Sequence, residues 1–157
     1  MDEKFAKMWK MGSGNSGKRF SGENPIPEKT EVATKDSWKT EPMPEKTATT
    51  PINLNISKED MSIVKMGHIP DAMEDHWFMY CDDDTIRYYR SWTGFCIFIA
   101  KYKEVDGGYL ITELEVNRDP SQYTSDDIVN DKANFLGLLV DEFGGDSSSY
   151  WEAFLNK

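Results

Sequence analysis

The side chains best suited to recognise a ligand are concentrated in the stretch from Ile86 to Phe95, which combines arginines with aromatic rings. Arg87 and Arg90 are two of only four arginines in the chain. A guanidinium group binds a phosphate or carboxylate through two parallel hydrogen bonds, and neighbouring rings can stack on a planar group. The stretch therefore predicts a site for a small anionic, nucleotide-like ligand or for a peptide. The predicted ligand-binding residues are Arg87, Tyr89, Arg90, Trp92 and Arg118.

A structural role for the same residues is the alternative interpretation. Alternation along a strand places Arg90 and Trp92 on one face of the sheet and Arg87 and Tyr89 on the other. Arg90 could pair with an acidic side chain nearby, and Trp92 could belong to the core. The acidic residues considered for that pairing are Asp82, Asp84 and Glu113.

His76 is the candidate for catalysis, because it follows Glu74 and Asp75 directly before an apolar strand. A neighbouring carboxylate can orient an imidazole ring as a general base, which would fit a small hydrolase or transferase. The alternative is a surface or packing role for His76. His68 and His76, the only two histidines, are eight residues apart and do not form a metal-site pattern. The sequence thus gives no positive evidence for enzymatic activity, and we expect no metal and no cofactor.

The run from Asp82 to Asp84 lacks the alternating ligands and the distal glutamate of a calcium loop, so it predicts a solvated turn between two strands. The formal net charge of the chain is −10, and the residues after 56 carry all of this negative charge. Such an acidic surface could cover a basic partner, as an immunity or inhibitor protein does. In that alternative function the partner-binding residues are Asp82, Asp83 and Asp84.

Charge and hydropathy argue against two classes of partner. An acidic domain would repel a phosphate backbone, so nucleic-acid binding is not expected. No apolar run approaches the roughly 20 residues that span a bilayer, so no membrane partner is expected. Cys81 and Cys96 both lie in apolar, strand-like runs, which favours reduced thiols and a cytoplasmic location. The oligomeric state is not indicated.

The composition divides the chain into two regions. Residues 1–55 are rich in Gly, Ser, Thr, Pro, Lys and Glu, which predicts a disordered tail or linker. Within it, residues 2–11 have apolar side chains at helical spacing, which is compatible with a short amphipathic helix that orders only on a partner, a membrane surface or the domain; a frayed terminus is the alternative interpretation. A Pro-x-Pro-Glu-Lys-Thr core occurs at residues 25–30 and again at residues 42–47, as either a bivalent docking peptide or a low-complexity tether. Residues 56–157 are predicted to form a single domain.

This domain is predicted to be of the α+β class. Four apolar segments separated by turn residues predict a four-stranded antiparallel meander. Ser125 is the predicted N-cap of a long helix that covers the sheet and ends at Gly144. A short final helix over residues 147–155 completes the fold. The predicted strands are residues 77–81, 85–92, 95–103 and 109–117.

The stretch MGHIPDAMEDHWFMYC at residues 66–81 is followed by YRSWTG at residues 89–94. Together they resemble a small bacterial domain that accompanies ADP-ribosylglycohydrolase and macrodomain proteins, and the resemblance covers about residues 66–123. It implies an accessory role in ADP-ribose metabolism, through binding of a ligand or of a protein. No catalytic residue is carried over, because the catalytic motifs of that group belong to the companion modules.

Overall fold

The chain folds into an antiparallel sheet with helices packed on one face, and the computed structural model describes residues 31–143 and 148–155. The predicted α+β class is confirmed. Within the described residues, no helix is long and apolar enough to cross a membrane. The elements in chain order are β1 (Thr47–Ser57), α1 (Lys58–Val64), β2 (Trp77–Cys81), β3 (Thr85–Arg90), β4 (Cys96–Val105), β5 (Gly108–Asn117), α2 (Ile128–Phe143) and α3 (Ser148–Leu155).

The sheet contains five strands in the order β1-β5-β4-β3-β2, and each neighbouring pair is antiparallel. The predicted four-stranded meander is present as β2 to β5. Its strand count was too low by one, because β1 adds a fifth strand along β5. This pairing runs from Thr47 opposite Asn117 to Ser57 opposite Gly108.

β1 lies in the segment that the sequence analysis assigned to the linker. Ile52, Leu54 and Ile56 are buried at alternate positions, which is the period of a strand with one buried face. Pro51 and the surrounding threonines and asparagines concealed this short alternation. The sheet therefore begins at Thr47, upstream of the domain boundary predicted near Ile56.

The long predicted helix is α2, but its N-cap differs from the prediction. The Oδ1 atom of Asp127 accepts hydrogen bonds from the amides of Val129 (3.1 Å) and Asn130 (3.2 Å). This is the capping geometry expected for aspartate. The hydroxyl of Ser125, which was predicted to be the cap, instead donates to the buried carboxylate of Asp131 at 2.8 Å. Serine and aspartate can both cap a helix, so residue type alone does not choose between Ser125 and Asp127. The difference is that Asp131 engages the hydroxyl of Ser125.

The main core lies between one face of the sheet and the helices. At its centre, the ring of Phe135 from α2 meets Tyr88 and Phe98 edge-on, with centroids 6.0 Å apart in both pairs. The other buried side chains of this core come from alternate strand positions and from the inner faces of α1 and α2; they include Ile86, Ile97, Ile111, Leu114, Val116, Met61, Val64, Leu136, Leu139 and Phe143.

The second face of the sheet is covered by residues 31–46, which we call the strap. Ala33 is buried there, and Trp38 and Met43 pack against the same cluster. The amide of Ala33 donates to the carbonyl of Met66 at 2.8 Å. These apolar residues are isolated among polar ones, so they form no helical or strand periodicity from which their packing could be predicted. The sheet residues under the strap are Phe78, Tyr80, Tyr89, Cys96 and Ile99.

The two copies of the Pro-x-Pro-Glu-Lys-Thr core differ in what the structure shows of them. The copy at residues 42–47 forms the end of the strap and the first residue of β1. The carbonyl of Lys46 in this copy accepts a hydrogen bond from the amide of Arg118 at 2.9 Å. The copy at residues 25–30 and the helix predicted for residues 2–11 lie outside the described residues.

Candidate functional site

The five residues predicted to bind a ligand do not form one site. Tyr89 is buried beneath the strap, where its hydroxyl lies 3.4 Å from that of Tyr80. Arg87 and Arg118 are each held by a carboxylate elsewhere in the domain. Arg90 and Trp92 line a common pocket. The structure thus retains two of the five as neighbours and separates the other three from them.

Arg118 joins β5 to α2 through a buried ion pair. Its Nη2 atom lies 2.6 Å from Oδ2 of Asp131, whose side chain is fully buried. The other carboxylate oxygen of Asp131 accepts hydrogen bonds from the hydroxyls of Tyr123 and Ser125, each at 2.8 Å. Arg118 also donates to the carbonyl of Asn117 at 3.2 Å. The guanidinium group of Arg118 is therefore occupied by contacts within the domain and is not available to a ligand.

Arg87 is bound to the acidic turn between β2 and β3. Its Nε atom donates to Oδ2 of Asp82 at 3.0 Å and to the hydroxyl of Thr85 at 3.1 Å. All three aspartates of the turn are exposed, and Arg87 partly neutralises Asp82. Their role in binding a basic partner stays a prediction.

The acidic turn lines a broad groove of about 720 Å³, together with Lys35, Lys65 and strap residues. The Nζ atom of Lys65 already donates to the hydroxyl of Tyr109 at 2.8 Å. A small anion entering this groove would meet the three aspartates as well as the lysines. The charges of the groove therefore do not favour an anionic ligand, in spite of its size.

Arg90 differs from the other two arginines of the described residues. Its guanidinium carbon lies 4.5 Å from the centroid of the Trp77 ring, which is the geometry of a cation–π contact. Within residues 31–143 and 148–155, no carboxylate forms an ion pair with it. Two of the three suggested partners are used elsewhere, because Asp82 binds Arg87 and Glu113 lies 3.4 Å from Lys101. The third, Asp84, forms no ion pair with Arg90.

The pocket at Arg90 has a volume of about 180 Å³ and opens beside the loop that connects β3 to β4. Trp92 in this loop is 61% exposed, so it is not the core residue that the structural interpretation required. Its indole N–H donates to the carbonyl of Met73 at 3.1 Å, which fixes the ring and leaves much of its surface to solvent. Met73 is itself 62% exposed. The residues that line the pocket are His76, Arg90, Trp92, Thr93, Phe95 and Gln122.

Ser91 links the loop that carries Trp92 to the segment that carries His76. The sequence analysis did not predict this role. Its amide donates to the carbonyl of His76 at 2.9 Å, and its hydroxyl donates to the carbonyl of Asp75 at 2.8 Å. Its own carbonyl accepts the indole N–H of Trp38 at 2.7 Å. Gly94 completes the turn with a φ of +81°, where a side chain would be strained. The loop carrying Trp92 is therefore fixed by bonds at both ends.

His68 is clamped between the carboxylates of Asp75 and Glu142. Nε2 lies 2.6 Å from Oδ2 of Asp75, and Nδ1 lies 3.3 Å from Oε1 of Glu142. Burial lowers the pKa of His68, but the charges and hydrogen bonds of Glu142 and Asp75 outweigh burial and raise it to about 10. Both ring nitrogens of the imidazolium are occupied, so His68 serves as a structural cation that ties the loop before β2 to the end of α2.

The catalytic arrangement suggested for His76 is not the one that the structure shows. The side chain of Asp75 binds His68 rather than its sequence neighbour, and no described carboxylate lies within ion-pair distance of His76. His76 instead lines the pocket and lies 6.5 Å from Trp92 between ring centroids. Among the described residues, no group of three or more His, Cys, Asp or Glu side chains is placed to hold a metal ion.

Comparisons of the chain with protein-family models, with curated proteins and with solved structures find no match. The resemblance to a domain of ADP-ribose metabolism stays a prediction.

Proposed function

We propose that this domain is a non-catalytic binding module that recognises the anionic group of a small ligand at Arg90. One observation carries the proposal. Arg87 and Arg118 each have a carboxylate partner, whereas Arg90 lies in a pocket and has none within the described residues. A partly desolvated cation without a counter-charge is stabilised when an anion binds it, and a guanidinium group is shaped to bind phosphate or carboxylate.

The other residues of the pocket suit the same kind of ligand. The hydroxyl of Thr93 and the amide of Gln122 can donate hydrogen bonds to an anionic oxygen, and His76 offers a further ring nitrogen. Trp77 lies against the guanidinium of Arg90 at 4.5 Å and limits where this group can point. Such restraint lowers the entropy lost on binding, which favours affinity.

The size of the pocket sets the size of the group that it can enclose. Sites that bury a whole drug-sized ligand measure roughly 300 to 1,000 Å³. At about 180 Å³, this pocket is suited to one phosphate or carboxylate group rather than to a complete nucleotide. The remainder of the ligand would lie over the exposed ring of Trp92 and the side chain of Met73. A planar base stacked on Trp92 fits this arrangement.

These features support a ligand that joins a compact anion to a ring, such as a nucleoside monophosphate or ADP-ribose. The resemblance of residues 66–123 to a domain of ADP-ribose metabolism adds weight to the second of these. The net charge of −10 favours a ligand with few charges, since a polyanion would be repelled by the rest of the domain.

A thermal-shift series on the full chain tests this proposal. The compounds are AMP, ADP-ribose, inorganic phosphate and adenosine, which keeps the ring of AMP and lacks its phosphate. A specific ligand raises the melting temperature with increasing concentration relative to its dissociation constant. We expect AMP or ADP-ribose to raise the melting temperature more than phosphate does, and adenosine to have little effect. The proposal fails if no phosphate-bearing compound shifts the transition, or if adenosine shifts it as far as AMP.

A further inference from the structure

We propose that Trp38, a residue of the strap, is a positioning residue for the Arg90 pocket. The inference rests on the proposed function and extends the site to a segment that does not itself line the pocket. The indole N–H of Trp38 donates to the carbonyl of Ser91 at 2.7 Å, across 53 positions of sequence. Trp38 therefore holds the residue directly between Arg90 and Trp92.

The strap contacts both ends of the loop that connects β3 to β4 (residues 91–95), which we call the pocket loop. Besides the Trp38 bond at Ser91, the amide of Glu41 donates to the carbonyl of Gly94 at 2.8 Å. The backbone of Lys39 also lies close to Gly94, because a Cβ atom at that glycine would be 3.2 Å from the Lys39 carbonyl oxygen. Two strap residues thus bracket the turn that carries Trp92 and Thr93.

The opposite side of the loop is bound to the chain segment before β2. The amide and hydroxyl of Ser91 donate to the carbonyls of His76 and Asp75, and the indole of Trp92 donates to the carbonyl of Met73. The loop is therefore held between two segments that are distant in sequence. Removing the Trp38 bond leaves the strap attached to the loop only through Glu41 at Gly94, which widens the range of positions open to Trp92.

The strap also has a packing role, and this role can be separated from the positioning role. Trp38 and Met43 both pack against the cluster under the strap. Trp38 also donates a side-chain hydrogen bond to the pocket loop, whereas the side chain of Met43 has no N–H or O–H group to donate. Trp38→Phe keeps an aromatic ring and removes the N–H donor, whereas Met43→Leu perturbs the same cluster without touching that bond. The two variants form a matched pair.

The experiment uses full-length chains labelled with ¹⁵N, titrated with inorganic phosphate and followed by NMR. A neutral hydrogen bond of this kind contributes about fivefold in an equilibrium constant, which sets the upper limit on how far its loss can reduce the population of the binding-competent loop. We therefore expect Trp38→Phe to weaken phosphate binding by up to about fivefold. Met43→Leu should bind phosphate as the natural chain does. The indole resonance of Trp92, assigned by its loss in Trp92→Phe, should shift or broaden in Trp38→Phe before any phosphate is added.

The outcomes separate this inference from the proposed function. Unchanged phosphate binding in Trp38→Phe, together with an unchanged Trp92 resonance, would overturn the positioning role. If the natural chain binds neither inorganic phosphate nor AMP, the proposed function fails, and the Trp92 resonance alone still decides whether Trp38 positions the loop. Should Trp38→Phe fail to fold, Trp38→Leu replaces it, because this change also removes the indole N–H donor and keeps an apolar side chain in the cluster under the strap. The same two readouts then apply.

Discussion

Asp75 precedes His76 in the chain, yet its carboxylate lies 2.6 Å from His68, seven positions away. This contact, with Glu142 on the other ring nitrogen, changes the expected role of both histidines. His68 becomes an internal cation, and His76 is left to line the pocket. The contact also ties the segment carrying Met73 and His76 to the last turn of α2.

The His68 clamp predicts a specific dependence of stability on pH. The folded-state pKa of about 10 lies above the unfolded value of 6.5. The stabilisation from the clamp is therefore complete below pH 6.5 and is lost as the pH rises toward 10. Urea denaturation of the natural chain should show this loss, whereas His68→Gln should lack it. Equal slopes of unfolding free energy against pH for both chains between pH 6.5 and 10 would contradict the clamp.

The ion pair of Arg118 and Asp131 predicts a large and non-additive effect on stability. Removing one partner of a buried pair leaves an uncompensated charge and typically costs about 3–5 kcal/mol. Asp131→Ala should therefore destabilise the domain strongly in chemical denaturation. Arg118→Met in the same chain should restore part of this loss, since it removes the orphaned cation. Additive losses in a double-mutant cycle would show that the two side chains do not interact.

The unpaired hydroxyl of Tyr88 leads us to predict that replacing this residue by phenylalanine stabilises the domain. Its hydroxyl is the one buried side-chain polar atom of the described residues that has no hydrogen-bond partner. Burial raises the pKa of Tyr88 well above its usual value, so the group is a neutral, unsatisfied donor. Tyr88→Phe should raise the free energy of unfolding by about 1 kcal/mol, because the phenyl ring keeps its contacts with Phe98 and Phe135. A loss of stability in thermal and urea denaturation would indicate a partner for the hydroxyl.

The sequence predicted the elements whose periodicity is long and regular. The strands β2 to β5 and helix α2 appear close to the predicted positions, since alternation and three-to-four spacing extend over many residues there. β1 was missed because its apolar alternation, Ile52, Leu54 and Ile56, is short and follows a polar, proline-containing stretch. The strap was missed for a different reason. Tertiary contacts with the sheet bury Ala33 and partly bury Trp38 and Met43, and isolated apolar residues carry no local signal.

The candidate site was predicted in part. Residue chemistry identified Arg90, Trp92 and His76, which the structure brings together at one pocket. It also assigned Arg118 to the site, because sequence cannot show that Asp131 reaches it from α2. The contributions of Ser91 and Trp38 depend on backbone carbonyls, which every residue has, so residue types alone could not reveal them.

An NMR titration with AMP tests the role of Arg90 most directly, using the full-length natural chain, Arg90→Gln and Arg87→Gln. Arg87→Gln is the matched control, because it removes the same charge from the same strand outside the pocket. A charge-assisted hydrogen bond contributes roughly tenfold or more in affinity. We predict that Arg90→Gln weakens AMP binding by at least about that factor, and that Arg87→Gln binds AMP as the natural chain does. Equal affinity in Arg90→Gln and the natural chain, or equal losses in both variants, would contradict recognition at Arg90.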